Sequence, residues 1–341
     1  MRAGKFISAV SEKCPRLLRR LLPLLGLLPA LLGSGPAAAQ AQPWPNKPVK
    51  MVVSWPAGGG GDVVARLLAE RMSKNMGQPV LVENRPGAGG TIGTQAVVRS
   101  EPDGYTLLFA APSELSVASA TFKALPYDPV KDLQPVSQIM RGPYLLVANP
   151  NFPPNTLAEL IAYAKANPGK ATYSSFGNNT LNHLYGEMLK ANAGIDVLHV
   201  AYKGSTPSIT DLVGGQVNYS FDNVGTVLPL VKAGKLKAIA VMSPQRLASA
   251  PTVPTMAEAG MPNFDVGTWL GVLAPAKTPK PVVDRIHAEI VAVLNSAELR
   301  KIFEDRSIVP VGNTPDEFGR LIGVEVNQWK MLAAKIGLKQ E

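Results

Sequence analysis

An α/β fold, with mixed and mostly parallel sheets flanked by helices, is predicted by three observations. Short apolar runs alternate with segments whose apolar residues recur three and four apart, glycine- and proline-rich turns separate the two kinds, and no repeat or low-complexity tract interrupts them. At 341 residues, 46% of them apolar and 17% charged, the chain is long enough for two domains that each bury a core, and too apolar for a disordered one.

After a proline-rich lead at 42–48, the first strand is expected at 50–54 (KMVVS). Eight further apolar runs read as strands: 80–83, 105–110, 144–148, 172–175, 197–201, 217–221, 236–242 and 268–274. Val64, Leu67, Leu68, Met72 and Met76 lay one apolar stripe along the helix after the first strand. Leu181, Leu184, Met188 and Leu189 do the same after the fifth. Capping boxes start three more helices, at Thr156 with Glu159, Thr255 with Glu258 and Thr314 with Glu317. Strands alternating with helices place ligands at the carboxyl ends of the strands.

Charge narrows the class of ligand. The formal net charge is +9, but residues 1–39 hold six basic residues (Arg2, Lys5, Lys13, Arg16, Arg19, Arg20) against Glu12 alone, which leaves about +4 on the rest and no run of Lys or Arg. A nucleic-acid partner needs a basic stripe against its phosphates. A mildly cationic surface suits an anionic small molecule instead. The same 39 residues form an export signal: a basic stretch ending at Arg20, a leucine-rich core at 21–32, and small residues that offer cleavage near 39–41. That core is too short to cross ~30 Å of hydrocarbon as a helix. The Arg19–Arg20 pair leaves the twin-arginine route open beside the general one. Cys14 is the single cysteine and departs with the signal, so neither disulfides nor thiolate chemistry is expected.

A search for catalysis returns little. His183, His199 and His287 are too scattered to suggest a zinc site, and neither H-E-x-x-H nor G-x-S-x-G occurs. The glycine run of WPAGGGGD, residues 55–62, is not followed by the Gly-Lys-Ser/Thr of a phosphate loop, and RPGAGG at 85–90 lacks the G-x-G-x-x-G spacing. No enzyme activity, metal or cofactor is expected.

Several loops do carry binding chemistry. In WPAGGGGD, Trp55 and Pro56 precede Ala57, Gly58 and Gly59, whose bare backbone lets a ligand approach their N–H groups, and Asp62 is placed to cap the following helix; the plainer reading is a strand-to-helix turn. Gly177, Asn178, Asn179 and Thr180 open the next helix and offer amides and a hydroxyl to an anion, or serve only as its cap. Tyr202, Lys203 and Gly204 begin another, with Pro207 in its first turn, and add a cation. Asp222 sits at a strand end. His183 reads as a structural histidine before it reads as a ligand contact.

These segments, taken in order, resemble the Bug-type receptors of bacterial tripartite tricarboxylate transporters over the length from about 48 to 338. The resemblance is carried by WPAGGGGD, VENRPGAGG at 82–90, PDGYTLL at 102–108, LPYDPVKD at 125–132, 177–180 with His183, AYKG at 201–204, DLVGGQV at 211–217, FDN at 221–223, and Trp269 with Gly271, Ala274 and Pro275. It implies a two-lobed periplasmic binding protein of type II fold that closes like a Venus flytrap. Residues 44–147 plus 270–341 would form one lobe and 148–269 the other. It further implies a monomer that holds a small carboxylate between the lobes, at 56–59 and 177–180 with Asp222 and Trp269 nearby, and delivers it to integral-membrane transporter subunits. A periplasmic sensor feeding a kinase, or an exported hydrolase, stays open as an alternative. Two departures bear on specificity. Asn179 stands where the family usually has glycine, and asparagine tolerates a left-handed backbone better than most residues. The segment 111–120 carries Ser113 and Glu114, the latter an acid unusual at this place, which is expected to face a cationic group of the ligand, to repel a second carboxylate, or to point to solvent.

Overall fold

Residues 44–335, except 263, 265, 266, 306 and 307, together with Gln340, are described by a computed structural model. The expected export segment, 1–39, lies outside them.

All nine expected strands are present, with ends moved by a residue or two. In chain order the elements are β1 (Val49–Val53), α1 (Gly60–Met76), β2 (Val80–Asn84), α2 (Thr91–Val98), β3 (Thr106–Ala110), α3 (Ala118–Thr121), β4 (Leu133–Gly142), β5 (Tyr144–Ala148) and α4 (Leu157–Ala166). The chain continues through β6 (Thr172–Ser175), α5 (Leu181–Ala193), β7 (Leu198–Ala201), α6 (Ser205–Val213), β8 (Tyr219–Asn223), α7 (Val224–Lys232) and β9 (Lys237–Met242). It ends with β10 (Thr268–Pro275), α8 (Lys280–Leu294), α9 (Ala297–Asp305), β11 (Val309–Pro310) and α10 (Pro315–Lys335).

Two sheets result, ordered β11-β4-β10-β3-β1-β2 and β7-β6-β8-β5-β9. Each is mixed: β1 pairs in parallel with β2 and β3, and β6 with β7 and β8, while β10, β4, β5 and β9 make antiparallel pairs. Helices cover both faces, so the strands are near-continuous apolar runs. Along β1, Val49, Met51 and Val53 enter one core with α1 and α8, and Val52 enters another with Leu108, Leu273 and Phe318. In the second sheet, Tyr144 and Leu146 face α5 while Leu145 and Val147 face α6 and α7. Helix α10 serves both sheets: Phe318, Ile322 and Val326 pack with the first, Trp329 and Ala333 with the second.

Two strands escape the sequence pattern. β4 carries Pro135 and several polar residues, and Pro135 lies opposite Leu273 at one of two register shifts against β10; there a missing N–H costs little. β11 is only two residues long. The helix expected at Thr255 is also corrected. Its capping box forms, with Glu258 N–H on Thr255 Oγ1 at 3.0 Å and Thr255 N–H on Glu258 Oε2 at 2.8 Å, but the turn ends at Gly260, whose φ is 94°, ahead of Pro262.

The expected division at 147/148 and 269/270 cuts through β5 and β10. By sheet membership the chain passes from first to second sheet at Pro143 and is back in the first at Thr268. The two passages lie side by side: Thr268 is in register with Gly142, and a Cβ on Gly267 would stand 2.8 Å from the Gly142 carbonyl oxygen.

Gly186, in the middle of α5, shows packing overriding propensity. Exchanging it for alanine favours the helix by roughly 1 kcal/mol, yet a Cβ there would lie 2.1 Å from the Tyr173 ring. Gly186→Ala should therefore destabilise the protein by roughly 1–3 kcal/mol. The readout is a lower denaturant midpoint at unchanged slope.

Candidate functional site

Five helices begin on the facing ends of the two sheets: α1 and α2 from the first, α5, α6 and α7 from the second. None has a side-chain hydrogen bond at its N-cap. Helices α4 and α10 differ, because Thr156 Oγ1 accepts from Glu159 N–H at 3.1 Å and Thr314 Oγ1 from Glu317 N–H at 3.3 Å. A helix start carries a partial positive charge and N–H groups without intrahelical partners; the first of these is engaged in α5, Leu181 N–H on Ser113 Oγ at 3.1 Å, and in α7, Val224 N–H on the Pro143 carbonyl at 3.3 Å.

Glycines let the two sides approach. A Cβ on Gly59 would lie 4.0 Å from Ser205 Cβ, one on Gly60 2.9 Å from Thr226 Oγ1, and one on Gly204 3.2 Å from the Pro56 ring. At the other end of the seam a Cβ on Gly89 would lie 3.3 Å from the Asn178 carbonyl, and Leu181 N–H donates to Ser113 Oγ at 3.1 Å. The first glycine loop thus meets α6 and α7, whereas 177–180 meets the 87–90 loop and Ser113. Sequence reasoning set 87–90 aside for its spacing. A glycine-rich stretch directly ahead of a helix start was the signal that could have found it.

Asp62 is the third residue of α1 and not its cap; the N-cap is Gly59. Its Oδ2 accepts from Gly58 N–H at 3.0 Å and Arg66 Nε at 2.9 Å, and its Oδ1 from Asn84 Nδ2 at 2.8 Å. Burial opposes its charge, but these hydrogen bonds outweigh it and hold the pKa below the ordinary value. The Gly58 amide is therefore spent on Asp62, and Gly59 and the first turn of α1 keep the open donors.

Asn179 adopts φ 60°, as its residue type allows, and Gly177 φ 139°. Thr180 does not cap α5 either. Its hydroxyl lies 2.6 Å from the Gly177 carbonyl and 2.7 Å from Asn182 Oδ1 and so shapes the turn, while Asn178 is exposed above it. His183 Nδ1 accepts the Asn179 N–H at 3.1 Å, and its ring stacks on His199, 4.1 Å between centroids, which stacks in turn on Tyr173. Ser175 Oγ lies 3.0 Å from the Gly177 carbonyl and 2.6 Å from His199 Nε2, and accepts the Gly177 N–H at 3.2 Å.

The remaining expected residues divide. Trp55 packs edge-on against Phe109 and over Gly61 at the start of α1. Tyr202 turns its hydroxyl to Asp211 at 2.7 Å and leaves only its carbonyl near Gly177, and Lys203 is exposed. Trp269 is a correction. Its indole N–H bonds both oxygens of Glu325 at 2.9 Å and its ring meets Phe318 edge-on, so β10 turns it into the core under α10, away from the seam. Glu114 does not point to solvent; it and Asp222 are both fully buried.

Two mixed sheets whose helix starts meet along one seam define the class of periplasmic binding proteins. Among solved structures, the periplasmic binding protein BugD is 37% identical, with a TM-score of 0.83 over 87% of this chain and 100% of that one. MatC from Rhodopseudomonas palustris with bound malate is 33% identical, with a TM-score of 0.81 over 84% and 98%. Protein BugT of Bordetella pertussis is 37% identical over 321 residues, 94% of this chain and 98% of its own. Residues 64–338 match the tripartite tricarboxylate transporter family receptor, and the chain belongs to that family of solute-binding receptors.

The His183–His199 stack predicts a pH dependence. Burial first, and the neighbouring His183 second, lower the His199 pKa to about 4. Since the folded value lies below the unfolded ~6.5, the contribution to stability is complete above pH ~6.5 and is lost as pH falls towards 4, on the order of 2 kcal/mol in all. His199→Phe keeps a ring in the stack and should remove most of that slope, measured by urea unfolding at stepped pH.

Proposed function

We propose that the chain captures a small organic acid between its two lobes in the periplasm, without catalysis, and hands it to membrane subunits of a tripartite transporter. The observation that carries this reading is the convergence of five helix starts without side-chain caps. Like partial charges brought together repel, and an anion among them turns that repulsion into attraction. Hydrogen bonds to an ionised partner contribute about 1.5–3 kcal/mol each. A few of them reach the roughly 8 kcal/mol of a micromolar site after the costs of association. The malate bound to the related MatC, and the adipate bound to a second R. palustris protein 32% identical to this chain, support a carboxylate as the common ligand chemistry. Contacts made only when both lobes meet the ligand supply the energy of closure.

Native mass spectrometry of the gently isolated protein should find a small organic acid; titration with carboxylates, alkylamines and neutral sugars should raise the melting temperature only with the first. A response to sugars and none to acids would overturn the reading. Gly60 offers a second check, because its backbone is helical and the only crowding a side chain meets there is Thr226 across the seam. Gly60→Val should weaken binding at least tenfold, about 1.4 kcal/mol, while the ligand-free melting temperature stays near that of the wild type.

A further inference from the structure

Glu325 stands in the middle of α10, buried together with Trp269 and Ser116. An apolar residue would fill the same space at far less cost, since a carboxyl taken out of water is expensive. Burial raises its pKa, and the hydrogen bonds from Trp269 and Ser116 lower it. Both donors are neutral: Trp269 Nε1 reaches the two carboxyl oxygens at 2.9 Å, and Ser116 Oγ reaches Oε2 at 3.0 Å. What a carboxyl adds over an aliphatic group is direction, because it holds two donors from distant parts of the chain at defined angles.

Those parts are segments that join the cores of the two sheets. Along α10, Ile322 and Val326 belong to the first core and Trp329 to the second, so Glu325 lies at the change. Ser116 lies at another: Leu115 packs with the first core, Val117 and Ala120 with the second. Trp269 follows Thr268, which is in register with Gly142 at the second passage between the sheets. Three joining segments are thus pinned to one carboxyl where the cores part. Ser116 carries the tie to the seam. The N–H groups of Leu115 and Val117 both donate to the Pro112 carbonyl, at 3.2 and 2.9 Å, so 112–117 is one compact turn. Ser113 sits on that turn, and its Oγ accepts the first amide of α5, Leu181 N–H, at 3.1 Å.

We infer that Glu325 is a positioning residue for the seam: by holding β10, α10 and the 112–117 turn together where the cores part, it sets Ser113 against the start of α5 and so keeps the two sheets in register where the ligand is captured. Its influence on Leu181 passes through Ser116 and the turn, a contiguous chain of contacts. The inference rests on the reading that capture takes place at this seam, but not on the class of ligand, and its test uses none.

The test is amide hydrogen exchange of the ligand-free protein, read at Leu181 by NMR. Ser113→Ala removes the acceptor, and Leu181 should then exchange about three- to tenfold faster, the scale of one neutral hydrogen bond. Glu325→Leu keeps the volume without the acceptors, and Ser116→Ala removes one donor; both should speed exchange at Leu181 in the same way. Glu325→Gln can still accept from the Trp269 indole and donate to the Ser116 hydroxyl, and should restore the wild-type rate. Combining Glu325→Leu with Ser113→Ala should add little to either alone, because both act on one hydrogen bond. A role confined to local packing predicts faster exchange in α10 and around Trp269 with Leu181 unchanged, or effects of the two substitutions that multiply, and either result would overturn the inference. If Glu325→Leu does not fold, Ser116→Ala decides: Leu181 exchanging at the wild-type rate in that variant would overturn it. Titration with carboxylates is a separate measurement, so failure here leaves the carboxylate reading standing.

Discussion

The organisation of this molecule follows from one electrostatic constraint: helix starts placed end to end along a seam repel one another. Each supplies roughly half a positive charge through its unpaired N–H groups. Five of them meet where the sheets face each other, and the glycines at 60, 89 and 204 remove the side chains that would crowd the other side. Side-chain caps are present at Thr156 and Thr314, and absent from the five helix starts at the seam as well as from α3 and α8. A protein that leaves these donors open stays receptive to an anion at some cost to its own stability.

How much of this was legible in the sequence depends on whether the signal was local. All nine strands with continuous apolar runs were readable, because sheets covered on both faces demand such runs. β4 was not, because Pro135 and its polar neighbours look like loop until the register shift opposite β10 is known. In the site, the turn residues declared themselves: Gly177 and Asn179 need, or tolerate, positive φ, and both adopt it. What each side chain bonds did not. Asp62 looked like a cap and instead reaches back to Gly58, and Trp269 looked like a cleft residue until Glu325, 56 positions later, took its N–H. Burial of Glu114 was equally invisible, since a lone acid among small residues fits a surface turn as well as a core.

Beneath the 177–180 turn lies a second layer that fixes its shape. Tyr173, His199 and His183 stack in a row, Tyr173 bonds Glu187 at 2.8 Å, and Glu187 bonds Lys190 at 2.9 Å. The row ends on the Asn179 amide through His183 Nδ1, so the left-handed residue is held from below as well as permitted by its side chain. This is why Gly186 has no Cβ: the Tyr173 ring occupies that volume. The aromatic row, the bare glycine and the turn are therefore one packing unit, and a change in any of them reaches the donors of α5.

Closure then has two fixed points and one free edge. The sheets are joined at Pro143 and again ahead of Thr268, where Gly142 and Gly267 pack too closely for any side chain between them, and α10 spans both cores through Phe318 and Trp329. Relative motion of the sheets must bend at the first place and keep or slide the second. The contacts it breaks are the few at the seam: Pro56 on Gly204, Thr226 near Gly60, Ser113 on the Leu181 amide and Gly89 on Asn178. These are small and mostly polar, with one direct hydrogen bond among them. A ligand therefore need not compete with an extensive interface. Parting the sheets here breaks the Ser113 hydrogen bond, and the mutual repulsion of the helix starts is a cost that any negative charge placed among them removes.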